Sequence, residues 1–130
     1  VEVRIACPKG FLPNPYVIKK AREIYKNDNL LKIIHDPHAA VQGANVLYTD
    51  VWSSMGEEYQ KEEKDKEFNG FTIDSDLVKK ADKDAIILHC LPAYREKEIT
   101  NAVIESDKSR IFEQAENRLH AQQALLACML

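Results

Sequence analysis

The feature that most limits what this chain can fold into is an alternation. Short apolar runs, each cut off by a proline or a polar residue, take turns with segments that carry helix-start signals. "VRIACP" (residues 3–8) reads as a buried strand stopped by Pro8. Asn14-Pro15 then supplies a capping amide and a first-turn proline. Val17, Ala21 and Ile24 recur at helical spacing, which predicts one buried face. "LKIIHD" is a second strand, and Asp36-Pro37 repeats the cap-and-proline start of a short helix expected to end near Gly43. "NVLYTDVW" (45–52) is a third strand. "TIDSDLVKKA" is a helix capped by Asp74 or Ser75, and "AIILHCL" is a fourth strand. "TNAVIES" gives one or two helical turns, "RIFEQ" a short fifth strand, and "AENRLHAQQALLACML" a terminal helix that is apolar over most of its surface. Strands alternating with helices specify an α/β fold with a parallel sheet. The 130 residues suffice for one domain, residues 1-130, with a real core.

Composition narrows the function classes. The chain is 45% hydrophobic and 30% charged, as expected of a globular protein. Its net charge of −3, from 21 acidic and 18 basic residues, offers no basic stripe for nucleic acid. No apolar run has the length to cross a bilayer, and the start lacks a signal-peptide layout. The three cysteines, Cys7, Cys90 and Cys128, are odd in number and far apart, which argues against a disulfide framework and for a reducing, cytoplasmic setting. No CxxC or paired-histidine spacing points to a metal, and none is expected. The charged stretch "EEYQKEEKDKE" reads as a solvated helix or loop.

In open parallel sheets ligands bind beyond the carboxyl ends of the strands. Two strand ends are chemically unusual. In "TDVWSSMGEE" a carboxylate, Asp50, ends a strand and a small-residue turn follows it. The carboxylate can meet an amine, and the backbone N–H groups of a turn made possible by Gly56 can cradle an anion. Equally, Asp50 can serve as a cap and Trp52 as core. In "HCLPAYRE" the thiol of Cys90 can be a nucleophile, a hydrogen-bonding group at a ligand or a buried structural thiol. No amidase or protease signature surrounds it, which counts against covalent catalysis. His89 is more commonly a satisfied core histidine than a base, and Leu91-Pro92 can hold a tight corner through a cis bond. Arg118, in the first turn expected for the last helix, faces the same sheet edge. Its guanidinium can grip an oxyanion or pair with Glu113 or Glu116.

"DVWSSMGEE", "HCLPAYR" and "AENRLHAQQALL", in this order, together with "VRIACPKGF", resemble the C-terminal, ornithine-binding half of the ornithine carbamoyltransferases over nearly the entire chain. The resemblance implies a transferase, without metal or organic cofactor, that moves a carbamoyl group from carbamoyl phosphate to the side-chain amine of L-ornithine, giving citrulline and phosphate for arginine biosynthesis. By matching position, Asp50 would hold the α-amino group of ornithine, and Ser54 and Met55 its amino-acid end. Cys90 would sit beside the attacking amine. The backbone around Leu91, together with Cys90 and Arg118, would contact the carbamoyl group.

The resemblance also implies parts that these 130 residues do not carry. They are an N-terminal domain with a phosphate-gripping Ser-Thr-Arg-Thr loop and the first strand and helix of the second domain. In the family that strand lies centrally, between the first and third strands of this chain. If the gap closes, the expectation is a doubly wound, Rossmann-like sheet of five strands in the flavodoxin-like order 2-1-3-4-5, with helices on both faces and an uncovered apolar surface that favours a homodimer. If it stays open, a second chain can fill it by strand exchange. The chain alone is expected to be inactive. The alternative is a non-catalytic flavodoxin-like module derived from such an enzyme.

Overall fold

The computed structural model describes residues 1–25, 28–53, 56 and 61–130. Strand β1 (Val3–Ala6) pairs in parallel with β2 (Leu31–Ile34), Ile5 opposite Ile33. Helix α1 (Pro15–Tyr25) and a 3-10 turn (Asp28–Leu30) connect them. Strand β3 (Val46–Thr49) pairs in parallel with β4 (Ile86–His89), Leu47 opposite Ile87. Before β3 comes the short helix α2 (Pro37–Val41); between β3 and β4 lie α3 (Lys61–Glu67) and α4 (Ser75–Val78). Helices α5 (Asn101–Ile104) and α6 (Ile111–Met129) complete the chain. Parallel pairs need crossover connections, and the helices supply them.

The local start signals act as the sequence implies. The Asn14 side chain accepts the Tyr16 amide at 2.9 Å, Asp36 accepts the His38 amide at 2.8 Å and Asp74 accepts the Leu77 amide at 2.7 Å. Each satisfies one of the amide donors a helix leaves unpaired at its start. The core gathers around the second pair of strands. Ile87, Ile99 and Ile111 are fully buried there, with Leu47, Ile73, Leu77 and Val103 around them.

Three expectations need correction. First, the described strands form two separate two-stranded sheets, and β1 does not pair with β3. The order 2-1-3-4-5 is therefore not formed, and the gap has not closed. A cavity of about 790 Å³ lies between the pairs, lined by β1 residues such as Ile5 and Ala6 and by β3 residues such as Leu47 and Tyr48. Side chains occupy its margins. Arg4 reaches from β1 to the carbonyls of Ala40 and Gln42 at the end of α2, 3.1 and 2.6 Å away. At the carboxyl end, Phe68 meets Phe11 at 5.2 Å and Trp52 at 5.8 Å between ring centres, so aromatic contacts join the two halves where no backbone ladder does.

Second, "RIFEQ" is not a fifth strand. Helix α6 begins at Ile111, and the fifth position beside β4 is reduced to one parallel bridge between Ile87 and Ser109. The Ile87 amide donates to Lys108 and the Arg110 amide donates to Ile87. Glu113 and Gln114 continue in register with the helical pattern that follows, so the short apolar pair Ile111-Phe112 joins the helix. Third, the predicted apolar face of α1 is not covered. The helix buries no residue, and Val17 and Ile24 are exposed. A two-stranded sheet is too narrow a platform to cover it.

Candidate functional site

The carboxyl ends of β3 and β4 lie side by side, because the two strands pair from Val46↔Ile86 to Thr49↔His89. The residues that follow, Asp50 and Cys90, therefore emerge together. Ligand atoms of Asp50, His89 and Cys90 all fall within 4.8 Å of one another. The Asp50 carboxylate takes the Val51 amide at 2.7 Å, which orients it at the strand end as a local cap would. Its capping and site roles are thus compatible.

Burial first, and then the hydrogen bond and charge of Asp50, push the Cys90 thiol above the usual range, while a hydrogen bond from Tyr48 works in the opposite direction. Cys90 is accordingly a thiol that donates toward a carboxylate, not an activated thiolate. This agrees with the absence of a nucleophilic-cysteine signature.

His89 is fully buried. Its Nδ1 accepts the Leu91 amide at 2.9 Å, and its Nε2 faces Glu98 Oε1 at 3.1 Å. Only an unprotonated Nδ1 can accept an amide, so the ring proton sits on Nε2 and points at Glu98. The imidazole lone pair is thereby spent inside the protein and is not available to a metal beside Asp50 and Cys90. Leu91 has φ +55 and precedes a cis peptide bond to Pro92, which gives the tight corner that the Leu-Pro pair predicts.

A second cavity of about 270 Å³ opens over this corner, lined by Asp50, Ser53, Lys61, Cys90, Leu91 and Lys97 among others. Lys97 is paired with Asp65 of α3 at 2.6 Å, while Lys61 lies over the Tyr94 ring. Among the described residues, the buried Ser53 hydroxyl at the cavity wall has no hydrogen-bond partner.

The sequence-predicted residues thus divide. Asp50, Cys90 and Leu91 come together around this cavity. Ser54 and Met55 lie outside the described residues. Arg118 does not join the group: it is exposed and lines neither cavity. Because α6 starts at Ile111, Arg118 falls seven residues into the helix, about 10 Å along its axis, and not in the first turn. It does share a helix face with Gln114, four residues earlier, whose side chain reaches the His89 amide and the Tyr48 hydroxyl. Sequence reasoning missed Tyr48 and Glu98. Tyr48 carried a weak signal, two residues before Asp50 on one strand; Glu98, in a loop of charged residues, carried none.

Comparison with known proteins gives this geometry a lineage. Residues 1–129 match the family model described as "Aspartate/ornithine carbamoyltransferase, Asp/Orn binding domain". The chain is 78% identical over its full length to the ornithine carbamoyltransferase of Prochlorococcus marinus subsp. pastoris, of which it covers 42%. Among solved structures, ornithine carbamoyltransferase from Pyrococcus furiosus superposes with a TM-score of 0.87 at 47% identity, covering 98% of this chain and 41% of that one. The anabolic enzyme from Campylobacter jejuni gives 0.88 at 42% identity, covering 97% and 42%. These neighbours establish the Rossmann-like α/β class. The chain spans a little over two fifths of the length of the relatives it matches. Over that span, the chain belongs to the aspartate/ornithine carbamoyltransferase family, as its Asp/Orn-binding domain.

Proposed function

We propose that this chain is the ornithine-binding part of a carbamoyltransferase that moves the carbamoyl group of carbamoyl phosphate to the side-chain amine of L-ornithine, yielding L-citrulline and phosphate. One observation carries the reading: the Asp50 carboxylate and the Cys90 thiol meet at adjacent strand ends above the Leu91 corner. The reaction needs an amine that has lost its proton, held close to a carbonyl carbon. A carboxylate at Asp50 matches the α-ammonium group of an amino acid. A thiol kept protonated by burial and by Asp50 accepts and donates hydrogen bonds without attacking the carbamoyl carbon itself. Ser54 and Met55 complete the amino-acid end in this reading. The backbone at Leu91 and the guanidinium of Arg118 hold the carbamoyl oxygen as charge develops on it. Arg118 takes that role from the same helix face as Gln114.

The phosphate group of carbamoyl phosphate is a dianion and calls for several fixed cationic and amide donors. Around the described cavity, Lys97 is already paired with Asp65. We therefore assign the phosphate grip to the part of the relatives' length that this chain does not cover, and the chain alone is inactive in this reading. The slot between β1 and β3 is the place for a further strand, which would unite the two pairs into one doubly wound sheet; self-association through that slot is the other way to fill it. The setting is the cytoplasm, where the three free cysteines stay reduced.

The test is citrulline formation by the purified chain with saturating ornithine and carbamoyl phosphate, alongside ornithine titration followed by NMR. The expected result is no citrulline, with ornithine shifting amides around Val51 and Leu91 in the wild type but not in Asp50→Ala. Citrulline from the chain alone would overturn the assignment of the phosphate grip. Ornithine shifts that persist in Asp50→Ala would overturn the site.

A further inference from the structure

We propose that His89 and Glu98 form a buried positioning pair, which sets the backbone of Leu91 and so the shape of the corner that carries Cys90. The inference deepens the reading of the carbamoyltransferase site and rests on it only for the purpose the corner serves.

Both side chains are cut off from solvent, His89 at 0% and Glu98 at 1% exposure. A buried carboxylate is costly unless its lone pairs are used. One oxygen of Glu98 takes two donors, His89 Nε2 at 3.1 Å and the Tyr94 amide at 2.6 Å. The other end of the ring takes the Leu91 amide at 2.9 Å. The result is a continuous relay from the Leu91 amide through the imidazole and the carboxylate to the Tyr94 amide. It spans the base of the loop between β4 and α5. Leu91 sits in the left-handed region at φ +55, a conformation that is unfavourable for a side-chain-bearing residue. The hydrogen bond from its amide to His89 is the contact that opposes that cost.

The relay is anchored at both ends. The His89 amide donates to Gln114 of α6 at 3.1 Å, and the Glu98 carbonyl accepts the Ile73 amide at 2.9 Å. Residue 98 is thereby fixed by a second segment, because Ile73 and Ile99 form a parallel bridge. His89 is fully buried and lines neither cavity, while Glu98 reaches the wall of the smaller one with 1% of its surface exposed and turns Oε1 to His89 and the Tyr94 amide. Their action is to aim backbone groups. The ring must stay in the Nε2–H form to do so, because a proton on Nδ1 would replace the Leu91 hydrogen bond with two opposed donors.

The experiment uses the 130-residue chain and needs no substrate. Long-range proton–nitrogen NMR reads the tautomer of His89, and amide hydrogen exchange reads Leu91 and Tyr94, with Ile87 as an internal reference for global opening. The wild type is expected to show His89 as the Nε2–H tautomer, with both amides protected. Glu98→Ala is expected to speed exchange at Leu91 and Tyr94 by about tenfold, the size of one lost hydrogen bond, while Ile87 is unchanged. Glu98→Gln, which keeps an oxygen for both donors, is expected to restore protection. His89→Asn, whose side-chain oxygen can take the Leu91 amide in an Asx-like turn, is expected to retain Leu91 protection. A wild-type His89 in the Nδ1–H form, or an unprotected Leu91 amide, overturns the proposal even if every variant fails to fold. Unchanged exchange in Glu98→Ala overturns it as well. Because these readouts need no ornithine, a failed ornithine titration would strike the proposed function and leave the pair standing.

Discussion

Gln114 accepts the backbone amide of His89 at 3.1 Å, and the same side chain donates to the Tyr48 hydroxyl at 3.2 Å. A single residue of α6 thereby spans the carboxyl ends of β4 and β3. The oxygen must face His89, because an amide N–H needs an acceptor, and this leaves the nitrogen for Tyr48. Replacing Gln114 with alanine strands the His89 amide in a buried position, at a cost of about 1–3 kcal/mol. The expected result in Gln114→Ala is a lower urea midpoint with an unchanged slope. Gln114→Glu keeps the acceptor and is expected to lose less. Equal loss in both would mean that the His89 contact contributes nothing.

Cys90 gives a prediction in pH. Burial and Asp50 hold its thiol protonated above the ordinary range. Alkylation by iodoacetamide is therefore expected to be slower at Cys90 than at the exposed Cys128 around pH 8, and Asp50→Asn is expected to speed it. Mass spectrometry of the labelled chain checks both. The same shift has a sign for stability. Folding raises this pKa, so the folded state binds the proton more tightly. The contribution is fully present below the unfolded-state value of 9.0 and is lost as pH rises through the higher folded value. Stability that rose across that alkaline range would contradict the burial of the thiol beside Asp50.

What the sequence made legible followed from local chemistry. Asn14, Asp36 and Asp74 each announce a helix start, and each side chain makes its capping bond. The strand ends at Asp50 and Cys90 were legible because parallel pairing brings consecutive strand ends to one edge. The failures came from tertiary context. Val17 and Ile24 have the spacing of a buried face, yet spacing cannot tell whether a surface exists to receive it. "RIFEQ" is apolar enough for a strand, but it runs without a break into a long helical segment, and the helix takes it. The His89–Glu98 contact joins residues whose types are common in any charged loop, so no pattern marked it.

Core placement separates two apolar residues that look alike in sequence. Ile87 is fully buried between Leu47, Ile99 and Ile111, whereas Val17 is 57% exposed. Ile87→Ala is expected to cost about 2–5 kcal/mol and Ile87→Val about 0.5–1.5 kcal/mol. Val17→Ala is expected to stay within about 0.5 kcal/mol of the wild type. Chemical denaturation of the three variants checks this ranking. A large loss at Val17 would restore the covered α1 face that the helical spacing predicts.

Helix α6 offers the sharpest test of how much of this chain is held by its own contacts. It runs for 19 residues, yet Ile111 alone among them is buried. Gln114 adds its two hydrogen bonds one turn later, and beyond it Leu119, Leu125, Leu126 and Met129 are exposed by more than half. Most helical stability in proteins comes from packing, and a helix without it is marginal at this length. Amide exchange in dilute solution is therefore expected to show protection from Gln114, whose amide donates to the Arg110 carbonyl, that decays steadily toward Met129. Self-association would change the pattern, because these leucines are exposed apolar groups that a second copy can cover. Raising the concentration is then expected to increase both the sedimentation coefficient and the protection around Leu125. In Leu125→Glu both gains disappear while the amide of Ile87 keeps its protection. Uniform protection along α6 in a dilute monomer would show that the distal turns are stabilised by contacts within one chain, contrary to the packing described above.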